Sequence, residues 1–196
     1  MKADRGKLVP DNGQIDQSSF DALYHRYKSM VFGFAYNVTK NQVEAEDLFQ
    51  ETWLRVVQNL PKINLQDFKA WIFTVTANLY RDALRKKRIR RLFFFEKSEG
   101  SLNQRQISLP LTANETSYSK DESEHRDASR AISQAMAKLP GKQRCVFVLK
   151  EIEGFKYSEI SEMLKIPAGT AKTLMHRAVR RLRRDLSEYN LKQYPL

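Results

Sequence analysis

Apolar residues along this chain recur at intervals of three and four, the beat of amphipathic helices, and no strand-like alternation interrupts it. Phe20, Leu23, Tyr24, Tyr27, Val31, Phe34 and Ala35 form the first stripe. It predicts a helix from about Phe20, capped by Asp16, Ser18 or Ser19, to Val38 or Thr39, with Lys40-Asn41 breaking it. The next is predicted from Val43 to about Leu60, burying Phe49, Trp53, Val56, Val57 and Leu60. Its early acids Glu44, Glu46 and Asp47 complement the positive end of the helix dipole. After a loop from Pro61 to Asp67, a third helix is predicted from Phe68 to Arg91, with Phe68, Trp71, Ile72, Val75 and Leu79 facing the core.

The beat lapses between Leu92 and about Asp127, where acids outnumber bases seven to four, and this stretch reads as a linker. Phe93, Phe94 and Phe95 at its start are expected to pack on the first domain. Helical patterning returns from Ala128, with Ala131, Ile132, Ala135, Met136 and Leu139 on one face, and stops at Pro140-Gly141. Another helix is predicted from Gln143 to about Ile152, carrying Val146, Phe147 and Leu149. The expected fold is all-α: a flexible arm over 1–17, a helical domain over 18–91, an acidic flexible linker over 92–127, a second helical domain over 128–190 and a tail over 191–196.

Phe155 to Arg184 reads as two short helices joined by a tight turn. Tyr157, Ile160, Ser161 and Leu164 keep helical spacing, and Ile166-Pro167-Ala168-Gly169-Thr170 interrupts it. Proline lacks an amide donor, glycine tolerates a left-handed turn, and Thr170 is expected to cap the second helix. There Ala171, Leu174, Met175, Ala178 and Leu182 share one face, while Thr173, Arg177, Arg180 and Arg184 occupy the other beside Lys172, His176 and Arg181. Such a face suits the major groove of DNA, where arginine bridges guanine acceptors or clamps phosphates. The plainer alternative is a solvated basic face on a helical hairpin.

Charge adds to this picture. The 196 residues carry 34 Lys and Arg against 23 Asp and Glu, a formal +11, which favours polyanionic partners. Six cations crowd Arg85 to Arg91, beyond what the dipole at a helix C-terminus accounts for, and Thr74, Asn78, Arg81 and Arg85 form a stripe above them. Asp47, Gln50, Glu51 and Leu54 make a separate outward ridge, either a docking face or a solvated one.

Cys145 is the only cysteine, so an intramolecular disulfide and a cysteine zinc cluster are excluded, and a buried structural thiol is expected. His25, His125 and His176 show no metal-ligand pairing, and no phosphate loop or nucleophile elbow is present. No cofactor, metal or catalytic residue is expected. No apolar leader or membrane-length segment is seen, which points to a cytoplasmic protein.

Three stretches together resemble one family. Ala45 to Trp53 (AEDLFQETW) is similar to the polymerase-binding helix of bacterial sigma factors. Phe68 to Asn78 (FKAWIFTVTAN), with Arg81, Asp82 and Arg85, resembles their promoter-melting helix. Leu139-Pro140, Val146-Phe147 and Glu153 through Thr170 resemble their C-terminal DNA-binding domain. The two-domain plan is similar to the extracytoplasmic-function (ECF) group of the sigma-70 family, a dissociable RNA polymerase subunit without catalysis of its own. The resemblance implies that Asp47, Gln50, Glu51 and Leu54 dock on the clamp of the largest core polymerase subunit. It places Thr74, Asn78, Arg81, Arg85, Lys86 and Arg88 along the −10 element, with Ile63 and Asn64 near a base extruded from the melted non-template strand. Lys172, Thr173, His176 and Arg177 would meet duplex DNA at the −35 element, and Arg180 and Arg181 its phosphates. Leu174 stands where many relatives carry arginine. An anti-sigma factor is the further partner implied. A stand-alone helix-turn-helix regulator is the alternative reading; it leaves the basic stripe and the acidic ridge without a role.

Overall fold

The computed structural model describes residues 17–95 and 120–187, and every regular element among them is helical. The main helices are α1 (Gln17–Thr39), α2 (Gln42–Asn59), α3 (Phe68–Phe95), α4 (Lys120–Lys138), α5 (Gly141–Phe147), α6 (Tyr157–Leu164) and α7 (Ala168–Leu186). Residues 1–16 of the expected arm, 96–119 of the expected linker, 188–190 of the expected second domain and the expected tail lie outside the described residues.

Local chemistry sets the boundaries. Thr39 turns its hydroxyl back to Ala35 O at 2.8 Å, and Lys40 then takes a left-handed conformation with φ 54° that no α-helix continues. One residue on, the Asn41 side chain accepts from Glu44 N at 3.0 Å and starts α2. The break predicted at Lys40-Asn41 is therefore a stop and a start in succession. At the other end of α2, Pro61 lies in the short turn Leu60–Lys62, and Ile63 leaves it extended.

The first three helices form one bundle. Phe34, Val38, Val56, Phe68 and Ile72 are fully buried, and Phe34 meets Phe73 edge-on with ring centroids 5.2 Å apart. At one edge Phe20, Tyr24, Phe49 and Trp53 meet edge-on in a second aromatic group. Val57, expected inside, is 53% exposed; α2 buries Ala45, Leu48, Thr52, Trp53 and Val56 instead. Thr52 can enter because its hydroxyl bonds Leu48 O at 2.7 Å and lies 3.2 Å from that of Thr76 on α3.

Helix α3 differs most from expectation. Besides Phe68 and Ile72 it buries Phe73, Thr76, Ala77 and Tyr80, whereas Trp71, Val75 and Leu79 are only partly covered. A second layer contributes: α6 and α5 also pack on α3, and Phe73 meets Phe155 as well as Phe34. The helix also continues past Arg91 to Phe95, and Leu92 and Phe93 are exposed rather than packed on the bundle. Helix α4 likewise begins at Lys120, ahead of the expected Ala128.

Helices α4 to α7 form the second bundle around Ala135, Leu139, Val146, Leu149, Ile160, Ala171 and Ala178. The chain widens into a π-turn over Val148–Ile152 after α5, with Glu153 N bonded to Val148 O at 3.0 Å, and Gly154 at φ 79° redirects it into α6. The buried residues of both bundles run together into one cluster, joined where Phe73 and Phe155 meet at 5.4 Å. Truncating Phe34, at the centre of the first bundle, is expected to cost about 3–5 kcal/mol. Denaturant unfolding of Phe34→Ala checks this, and a loss below about 1 kcal/mol would mean the ring is not a packing centre.

Candidate nucleic-acid interface

The α6–turn–α7 unit holds its shape through main-chain bonds around Lys165. Glu159 accepts from Lys156 N at 2.6 Å and closes the start of α6. Lys165 ends the helix at φ 50° and ψ 50°, with Ile166 N bonded to Ser161 O at 3.1 Å and the Ser161 hydroxyl to Ile166 O at 2.6 Å. The left-handed residue is thus Lys165, not Gly169, which lies in the first turn of α7 without a positive φ. Thr170 is not the cap either. Pro167 precedes the helix, and its carbonyl accepts from Thr170 N at 2.9 Å and Ala171 N at 3.1 Å.

Helix α7 divides as its sequence predicts. Ala171, Met175, Ala178 and Leu182 are buried, with Leu174 half-buried at the edge of that face. Lys172, Thr173, His176, Arg177, Arg180 and Arg181 are all brought together on the outer side, and all six are exposed. The Thr173 hydroxyl donates back to Gly169 O at 2.9 Å, leaving its oxygen and methyl outward. Arg177, Arg180, Arg181 and Arg184 line a basic groove against Gln143 of α5. Four guanidinium groups along one wall suit a run of phosphates.

The other predicted residues fall into two sets. Asp47, Gln50, Glu51 and Leu54 line one wall of a groove whose other wall is the basic stretch of α3, including Arg85 and Lys86. Leu54 is 52% exposed although it is apolar, as a docking residue would be. Glu51 pairs with Arg55 at 3.1 Å and Glu44 with Lys87 across the groove; both pairs are exposed and contribute little to stability. Arg88 is exposed on the same helix.

Several predicted residues are covered. Ile63 is 8% exposed and belongs to the core, so it presents no surface to a base. Asn64 is exposed, with its amide donating to Asp67 Oδ2 and its carbonyl accepting from Gln66 N, both at 3.0 Å. Thr74 is half-buried and bonded to Ala70 O at 2.7 Å. Asn78 is half-buried, with Oδ1 unpartnered among the described residues. Arg81 commits one guanidinium nitrogen to Leu164 O, at 2.7 Å, in the second bundle.

Sequence reasoning missed Arg144 altogether. It is 8% exposed, and its guanidinium reaches Val38 O at 2.7 Å, Ala137 O at 3.0 Å, Tyr80 OH at 3.2 Å and Met136 O at 3.3 Å. The available signal was a cation directly preceding the apolar run Cys145–Leu149. Beside it, burial pushes the Cys145 thiol up to about 12, so this sulfur is inert. Burial, with Arg144 next to it, lowers the Lys40 ammonium to about 8.

Both bundles have counterparts among known proteins. Residues 23–90 match Sigma-70 region 2 and residues 129–182 match Sigma-70, region 4. The ECF RNA polymerase sigma factor SigW of Bacillus subtilis is 32% identical over 174 residues, covering 88% of this chain and 91% of the relative. SigE of Mycolicibacterium smegmatis, also an ECF sigma factor, is 27% identical over 179 residues, covering 90% of this chain and 65% of that relative. A solved structure of the sigma factor RpoE from Bartonella quintana, in complex with the anti-sigma factor NepR, shares the fold with a TM-score of 0.65. That match has 23% identity and covers 87% of this chain and 98% of that one. The chain belongs to the ECF sigma factors of the sigma-70 family. Among the described residues no helix is long and apolar enough to cross a membrane.

The Lys40 environment yields a test with a defined sign. The folded chain releases this proton near pH 8, whereas the unfolded lysine keeps it to 10.5. Between those values the unfolded state binds more protons, so stability rises with pH; below about 8 the cost of the buried charge is fully present. Lys40→Met is therefore expected to be more stable than the parent at pH 7, with the difference shrinking as pH climbs from 8 to 10.5. Urea unfolding across this range checks it; a difference that does not change with pH rules the argument out.

Proposed function

We propose that this chain directs bacterial RNA polymerase to promoters, reading the −35 element with α7 and the −10 element with α3 while α2 holds the polymerase. One observation carries the reading most directly. Six side chains able to contact bases or phosphates stand together on the outer side of α7, directly opposite a fully apolar buried face. Lys172, Thr173, His176 and Arg177 meet bases in the major groove, and Arg180 and Arg181 meet phosphates. Arg81, Arg85, Lys86 and Arg88 hold the −10 region, with Thr74, Asn78 and Asn64 close to the opened strand. Ile63 acts from beneath as a packing support for Asn64. Asp47, Gln50, Glu51 and Leu54 dock on the clamp of the largest polymerase subunit.

The working units of this reading are 18–91 and 128–190, connected by 92–127. Polymerase supplies the chemistry, and this chain contributes no catalytic site. Its place of action is the cytoplasm, beside polymerase and DNA, and an anti-sigma factor is its regulator, as in the complex named for the Bartonella relative. A stand-alone regulator has no observation in its favour, since the whole of residues 23–90 would then lack a role.

Run-off transcription by core polymerase on a genomic fragment library, with and without the chain, tests the proposal. New transcripts sharing spaced −35 and −10 motifs are expected; none, together with no polymerase binding, would overturn it. Asp47→Arg with Glu51→Arg turns two docking acids into cations and is expected to abolish polymerase binding, read by size-exclusion co-elution. Arg177→Ala is expected to weaken −35-dependent binding by about 1–3 kcal/mol if the arginine bridges a base. An equal loss on every sequence would reassign it to a phosphate.

A further inference from the structure

We infer that Ile89 and Leu92, on the exposed end of α3, read thymine methyl groups in the duplex that borders the −10 element on its spacer side. The inference rests on the reading of α3 as the −10 helix. Local chemistry sets the two residues apart. From Arg85 to Phe93 every residue of α3 is exposed, and Ile89 alone interrupts the six cations between Arg85 and Arg91. Ile89 is 45% exposed and Leu92 63%. Spaced by three residues, they are neighbours on the helix surface and form one patch. A stretch made only for solubility or for phosphates needs no aliphatic side chain there.

The helix puts this patch in line with the contacts already assigned to it. At about 100° per residue, Thr74, Asn78, Arg81 and Arg85 fall within a strip roughly 60° wide. Leu92 falls inside that strip and Ile89 about 20° beyond its edge, whereas Phe93 sits about 90° from its centre. Ile89 and Leu92 stand about 6 and 10 Å past Arg85 along the axis, or about two and three base-pair steps. Beyond Phe95 the chain runs on toward the bundle that carries the −35 helix, which sets this end of α3 on the spacer side.

Among the base edges of the major groove, only thymine offers an apolar group, its C5 methyl. Isoleucine and leucine have no donor or acceptor for the other edges, so the contact discriminates by burial alone. Arg85, Lys86 and Arg88 beside it take up phosphates. An anionic lipid surface also offers charge and apolar depth, but nothing in it demands alignment with the Thr74–Arg85 strip. That continuity favours DNA.

Uracil in place of thymine tests this, since it removes the methyl and keeps every hydrogen-bonding group. Core polymerase loaded with the full chain is titrated onto promoter fragments recovered by run-off transcription. Their spacer-side border, about four base pairs next to the −10 element, carries thymine, uracil or only G·C pairs. Uracil is expected to weaken the parent complex about fourfold for each methyl buried. Ile89→Ala combined with Leu92→Ala is expected to bind the thymine and uracil forms alike while matching the parent on the G·C form, a pattern that a general loss of structure does not give. Phe93→Ala is expected to keep the parent ratio. A methyl effect that survives the double variant overturns the assignment to these residues. Equal binding of both forms by the parent, with Arg85→Ala still weakening each, overturns the methyl contact and leaves the −10 reading standing. Arg85→Ala without effect on any fragment overturns both. Equal binding, together with pelleting of the parent but not of the double variant on phosphatidylglycerol vesicles, hands the patch to a lipid surface instead.

Discussion

Helix α3 is short of faces. A helix in a small bundle ordinarily turns one stripe to the core and leaves the rest to water, but α3 must cover α1 and α2 with Phe68 and Ile72 and also meet the second bundle with Phe73. Only the remaining surface is free for polar work, so the Thr74, Asn78 and Arg81 stripe lies against the boundary of an apolar contact. That crowding explains why Arg81 finds a carbonyl of the second bundle and why Asn78 keeps a buried acceptor unpaired among the described residues, a state that costs stability wherever it occurs.

The same constraint decided what was legible in the sequence. Helix existence and type were readable because period and breakers agreed, as at Lys40-Asn41 and Pro140-Gly141. The outer face of α7 was also readable, since its apolar and basic positions separate cleanly around the helix. What failed depended on partners distant in sequence. Phe73, Ala77 and Tyr80 fall off the stripe that local spacing selects, and partners distant in sequence help to bury them: Phe73 meets both Phe34 and Phe155, and Tyr80 meets Arg144. Val57 failed in the opposite way, an apolar residue at core spacing with no neighbour to cover it. Ile63 was given a surface role by resemblance, whereas it turns inward as the chain leaves the Leu60–Lys62 turn.

Turn chemistry failed for a different reason. Glycine at Gly169 looked like the residue that would accept a left-handed conformation, but the chain gives that duty to Lys165 and folds the glycine into α7. The Ser161–Ile166 bonds surround that position closely enough to hold a lysine where glycine would have been easier. A rigid turn of this kind fixes the direction in which α7 leaves α6, and so where a basic surface can be presented.

The π-turn over Val148–Ile152 sets a length between two tasks. Arg144 lies before it and must meet the first bundle; α6 and α7 lie after it and must present their outer face to DNA. Each residue of helix rotates the chain beyond it by about 100° and advances it by about 1.5 Å. Removing the one extra residue would swing the reading helix about the axis of α5 while Arg144 stayed in place. Homologous chains that keep both tasks should therefore tolerate substitutions in this stretch far better than insertions or deletions, making its length a more informative trait than its composition.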